Sequence, residues 1–233
     1  HMLEPVVKGM LRIDSPQALP AVGALLDLAL ARPHGPVYLE VTGQGMRGRV
    51  PAAAVPVAPA PPAALPACPD AALAAAREVI ARARRPVLVA GLQTREPGAA
   101  QGLHDLARQW QCPVFSTYMG KGAIADADAL AMGHFMAGGA EDEAMKSADL
   151  IVAYGLDPVE LLPKPWRYPA PVLEIGTQAF ARNHYTPVAA LVGDLADAAA
   201  RLTQGLARSA WQAQDLEALK AHMRARAAVP QAG

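Results

Sequence analysis

Four short apolar runs of this chain close on a glycine: Gly91, Gly155, Gly176 and Gly193. A fifth closes on Ser116-Thr117. In open parallel sheets the ligand crevice lies outside the carboxyl ends of the strands, where a missing side chain lets a ligand reach the backbone. The pattern suits a nucleotide-like ligand, and it also suits glycines that simply end strands. The usual phosphate motifs are absent. Gly91-Leu92-Gln93-Thr94-Arg95-Glu96-Pro97-Gly98 lacks the second and third glycines of a dinucleotide fingerprint. Met119-Gly120-Lys121-Gly122 has a Gly-Lys pair without the earlier glycine or the following hydroxyl of a P-loop. The six histidines are scattered without metal-ligand spacing, and no serine sits in a Gly-x-Ser-x-Gly elbow. His104 reads as a surface residue and Asp126 with Asp128 as a solvated loop pair, whereas His134 lies in a glycine-rich loop that a ligand could reach.

The elements that must position these residues alternate in type. Apolar runs at 86–91, 113–116, 150–155, 172–176 and 189–192 have no polar alternation and read as buried strands. Between them lie helical patterns: one capped by Asp70, one over 98–111 with Leu103, Leu106 and Trp110 on one face, one near 141–147, and one capped by Asp194. Residues 70–205 are therefore expected to form an α/β, doubly wound parallel sheet of five or six strands with helices on both faces. A last helical stretch over 211–226, within 206–233, reads as a surface helix or a linker.

Outside that region the chain changes character. Residues 51–69 hold seven prolines and read as an extended linker. Residues 1–50 open with His1-Met2, which looks like a cloning scar. They offer one helix, started by Ser15-Pro16 and carrying Leu19, Val22, Leu25, Leu26 and Leu30, and one strand at 36–41. One helix and one strand cannot bury a core, so this segment reads as the tail of something larger.

Composition narrows the function classes. Of the 233 residues, 52% are apolar and 18% charged, enough for a core and too little charge for disorder. Lys plus Arg equals Asp plus Glu at 21 each, which removes the footprint of a nucleic-acid binder or a polybasic membrane-surface protein. No segment reads as a membrane span, because prolines interrupt the longest apolar stretch. Cys68 and Cys112 are too few for a disulfide framework or a four-thiolate zinc site, and the compartment reads as reducing and cytoplasmic.

Three stretches together resemble a known family. Arg85-Pro86-Val87-Leu88-Val89-Ala90-Gly91, then Cys112-Pro113-Val114-Phe115-Ser116-Thr117-Tyr118-Met119-Gly120-Lys121-Gly122, then Ala148-Asp149-Leu150-Ile151-Val152-Ala153-Tyr154-Gly155 look like the central domain of thiamine-diphosphate-dependent enzymes. Acetolactate synthase, oxalyl-CoA decarboxylase and benzoylformate decarboxylase belong to that family. Val192-Gly193-Asp194 is similar to the motif opening the domain's last helix. Arg32-Pro33-His34-Gly35-Pro36-Val37-Tyr38-Leu39-Glu40-Val41 resembles the end of the family's pyrimidine-binding domain.

The resemblance implies a parent that uses thiamine diphosphate and magnesium on 2-oxo acids, for decarboxylation or carboligation, with the cofactor supplying the hard chemistry. The activating glutamate and the Gly-Asp-Gly metal motif of such a parent have no match here, since Gly193-Asp194-Leu195 lacks the third glycine. The chain is thus expected to be an internal, non-catalytic fragment whose partners are the remaining domains, in a homo-oligomer. Some family members hold FAD or ADP on the sheet's carboxyl edge, and by position the candidates here are Gly91, Gln93, Thr117, Met119, Gly155, Glu174 and Asp194. Glu174 ends a strand where an acidic residue could accept a ribose hydroxyl. Flavin-binding members often carry Gly-Ala-Arg where this chain has Gly155-Leu156-Asp157, an anion in place of a cation. Two readings remain: an empty structural domain, and a free-standing FAD- or ADP-binding module.

Overall fold

The computed structural model describes residues 2–50, 63–180 and 184–227. The chain divides into two units, His1–Ala64 and Leu65–Gly233. Of the stretch over 51–69 read as a linker, residues 51–62 lie outside the described residues.

The second unit is built on six strands: β3 (Pro86–Ala90), β4 (Val114–Ser116), β5 (Ala131–His134), β6 (Leu150–Tyr154), β7 (Val172–Gly176) and β8 (Ala189–Val192). Their order is β5-β4-β3-β6-β7-β8, with every pairing parallel. Every residue of β3, β6 and β7 is buried, which is why these strands read as unbroken apolar runs. The chain leaves β3 outward through β4 and β5, then returns to β3's other side with β6 and continues through β7 and β8. The direction therefore reverses between β3 and β6, and Gly91 and Gly155 follow those two strands. In doubly wound sheets this switch point is where a crevice opens.

Helices α3 (Asp70–Arg82), α4 (Ala99–Trp110), α5 (Asp142–Ser147), α6 (Leu195–Thr203) and α7 (Ala213–Ala227) complete the unit. Helix α4 buries Leu103, Leu106, Ala107 and Trp110 on one face. It lies close to α6, and Gly102 makes that approach possible, because a Cβ there would sit 3.0 Å from the Ala199 methyl. The Tyr154 hydroxyl lies 2.9 Å from the carbonyl oxygens of both Ala99 and Leu195, joining β6 to both helices. Asp194 caps α6, its Oδ1 accepting from the Asp197 N–H at 2.9 Å. At α3 the cap position falls to Pro69, and Asp70 is the first helical residue.

Strand β5 was not foreseen in the sequence, where 118–140 reads as loop. It is short, carries Gly133 at φ +115° and the exposed His134, and its pairing with β4 shifts register between Val114 and Phe115. A glycine at positive φ and a polar end hide the period-2 signal.

The first unit corrects the expectation of a lone helix and strand. Met10–Ile13 (β1) pairs in parallel with Tyr38–Val41 (β2), joined through α1 (Ala21–Leu30). The central Arg12 of β1 masks the strand in the sequence. Pro16–Ala18 forms a separate 3₁₀ turn and α1 starts only after Pro20, since proline's missing N–H suits a helix start and not its interior. Ile13 and Leu25 are buried, whereas Leu26 and Leu30 are exposed. A short helix, α2 (Gly43–Arg47), follows β2, and the Thr42 hydroxyl oxygen caps it by accepting from the Gly45 N–H at 3.1 Å.

Candidate functional site

At the switch point the chain has little room. A Cβ at Gly91 would lie 2.4 Å from Leu156 Cα and 2.6 Å from the Gly155 carbonyl oxygen. Gly155 itself adopts φ +63°, the left-handed region that favours glycine, and its N–H donates to the Ile175 carbonyl at 2.7 Å. The Gln93 N–H in turn donates to the Gly155 carbonyl at 2.9 Å. These bonds sew the ends of β3, β6 and β7 together and leave a narrow polar floor.

That floor is occupied by a residue the sequence reading passed over. Glu160 is 7% exposed. Its Oε2 accepts from the backbone N–H of Leu92 at 2.8 Å and of Asp157 at 2.9 Å, and its Oε1 accepts from the Thr117 hydroxyl. Thr117 is itself buried, and its Oγ1 accepts from the Gly120 N–H at 2.9 Å. The signal was present in Asp157-Pro158-Val159-Glu160, an acidic cap followed three residues later by glutamate. The Asp157 carboxylate accepts from the Val159 N–H at 3.0 Å, forming a capping box on the 3₁₀ turn Pro158–Glu160.

The structure thus gathers Gly91, Thr117 and Gly155 around Glu160, with Gln93 beside them. Gln93 turns its side chain toward the end of β7. Its Oε1 accepts from the Thr177 N–H at 2.8 Å, while Nε2 is buried without an acceptor among the described residues. Glu174 is buried in β7, and the Tyr185 hydroxyl lies 3.4 Å from its Oε2. Met119 is half-buried on the turn after Thr117. Asp194 serves as the α6 cap, and its N–H donates to the Pro66 carbonyl at 2.8 Å.

The electrostatics of this arrangement oppose a phosphate. Two backbone N–H groups and a hydroxyl converge as a phosphate cradle would, but they are spent on the chain's own carboxylate. Asp157 adds a second anion beside it, and like charges in a partly desolvated crevice repel. Among the described residues no group of three or more His, Cys, Asp or Glu side chains could hold a metal ion. Nucleophilic chemistry is also poorly served, because burial pushes both the Cys68 and Cys112 thiols above their ordinary range.

Comparison with known proteins decides the family. The description "Thiamine pyrophosphate enzyme, central domain" matches residues 73–202. The chain belongs to that family. Among its relatives is the acetolactate synthase large subunit of Parasynechococcus marenigrum, 34% identical over 65% of this chain and 25% of the relative. The catabolic acetolactate synthase of Raoultella terrigena is 27% identical over 87% of this chain and 37% of the relative. The crystal structure of benzoylformate decarboxylase from Polynucleobacter necessarius shares the fold, with a TM-score of 0.60 and 18% identity over 89% of this chain and 40% of that one. The chain therefore spans a quarter to two fifths of the length of these proteins. The matched region of this thiamine pyrophosphate enzyme central domain begins within α3 and ends within α6, so it takes in the whole six-stranded sheet and the crevice filled by Glu160. Among the described residues of the domain and of the unit before it, no helix is long and apolar enough to cross a membrane.

Proposed function

We propose that this chain serves as the non-catalytic central domain of a thiamine-diphosphate-dependent enzyme that decarboxylates or joins 2-oxo acids. In this reading thiamine diphosphate and magnesium are held by other domains of the parent, which are the chain's partners in a cytoplasmic homo-oligomer. The central domain acts as a rigid spacer between the domains that hold the cofactor. The observation that carries the structural role is Glu160: a carboxylate fixed by Leu92, Asp157 and Thr117 stands where a bound dinucleotide would need its phosphates neutralised.

The test has two arms. Incubated with thiamine diphosphate, magnesium and pyruvate, the 233-residue chain should release no carbon dioxide above background. The same sequence embedded in its full reading frame should turn over at a rate ordinary for enzymes, on the order of 1 per second or faster. Turnover by the isolated chain would overturn the non-catalytic assignment. Micromolar binding of FAD or ADP, weakened by Glu174→Ala, would replace it with a nucleotide-binding module.

A further inference from the structure

A second cavity lies on the far side of β4 from the crevice filled by Glu160. It has a volume of about 250 Å³ and is walled by β5, the end of β4, the loop after it, and α7. Three cations line it: Lys121 from the loop, and Lys220 and Arg224, which are four residues apart and so share one face of α7. Asp126 is the one acidic residue of the lining, so the walls carry a formal excess of two positive charges with His134 neutral. The chain as a whole carries none, and the excess is local.

The chain satisfies these cations incompletely. Lys220 Nζ donates to the Asp128 carbonyl at 2.8 Å, and Lys121 Nζ stands 4.0 Å from Asp126 Oδ2. Arg224 makes no hydrogen bond or ion pair among the described residues. Like charges gathered at one concavity raise its free energy unless an anion neutralises them. The deeper wall is apolar, formed by Ile124, Met132 and Met223. A Cβ on Gly133 would lie at an ordinary contact distance of 3.4 Å from the Met223 methyl, and it is the φ of +115° that favours glycine at this position.

We infer that this cavity binds a small organic dianion, its charged head against Lys121, Lys220 and Arg224 and a short apolar body against Ile124, Met132 and Met223. The proposed role of the domain assigns no ligand there, and the inference stands independently of it.

The experiment is calorimetry on the 233-residue chain with butyl phosphate, glutarate and 1-butanol. Saturable binding of at least one anion is expected, with a dissociation constant of about 1 mM or tighter, and none of 1-butanol. The tighter anion identifies the head group as phosphate or dicarboxylate. The double variant Lys121→Ala, Arg224→Ala should bind at least about tenfold more weakly, as expected for losing charge-assisted hydrogen bonds. Asp126→Asn should bind more tightly than the parent chain. Both sets of changes fall on exposed side chains, and an unchanged melting temperature will show that folding is intact. Absence of saturable anion binding up to about 10 mM, equal binding by the double variant, or equal binding of 1-butanol would overturn the assignment.

Discussion

The Thr117 hydroxyl donates to Oε1 of Glu160, tying the end of β4 to the turn that follows β6. Through the same carboxylate, Leu92 joins from the end of β3. Removing the acceptor leaves three donors unpaired, the buried Thr117 hydroxyl and the part-buried N–H groups of Leu92 and Asp157. Glu160→Ala should therefore cost about 2–4 kcal/mol of unfolding free energy, and Glu160→Gln, which keeps one carbonyl oxygen, about 1–2 kcal/mol. Urea unfolding followed by circular dichroism checks this; equal stability of Glu160→Ala and the parent would show that the cradle contributes nothing.

Gly91 is fixed by space. A methyl there would meet Leu156 Cα at 2.4 Å and the Gly155 carbonyl at 2.6 Å, both main-chain atoms that cannot swing aside. Gly91→Ala is expected to destabilise the unit by about 2–3 kcal/mol through overpacking. A melting temperature within experimental error of the parent would refute the close approach.

Asp128 governs part of the acid response. Burial acts to raise its carboxyl, but the Leu130 N–H, His104 and Arg108 outweigh it and hold the group below its ordinary value of 3.8. His104 Nε2 lies 3.3 Å and Arg108 3.6 Å from Oδ2. A carboxyl depressed in the folded state adds stability that is complete above the unfolded value and is lost as pH falls through the folded one. Asp128→Asn should thus be less stable than the parent at pH 6, with the difference shrinking as pH falls below about 3.8 toward about 2. A difference independent of pH would place the role of Asp128 in packing rather than charge.

All six strands of the larger sheet fall between residues 86 and 192. Deletion of residues 1–62 should accordingly leave a single cooperative unfolding transition for the remainder. A broad, non-cooperative transition would move the domain boundary toward the amino terminus.

Much of the fold was legible locally. The strands at 86–90, 114–116, 150–154 and 172–176 are buried on both faces and the edge strand at 189–192 is apolar throughout, so composition alone marks them, and their alternation with helices requires parallel crossovers. The Asp194 cap of α6 and the apolar face of α4 were equally plain. Two strands escaped for a local reason: Arg12 interrupts β1, and Gly133 with His134 interrupts β5. Gly91 and Gly155 follow β3 and β6, but a glycine's type does not say which side chain lies beside it. Tertiary structure puts the Glu160 carboxylate there. Burying the Glu160 carboxylate is tolerable only because donors from Leu92, Thr117 and Asp157, on three separate segments, meet it at once. Each donor is ordinary in sequence, and only the order of strands β4, β3 and β6 brings them within hydrogen-bonding distance of one carboxylate.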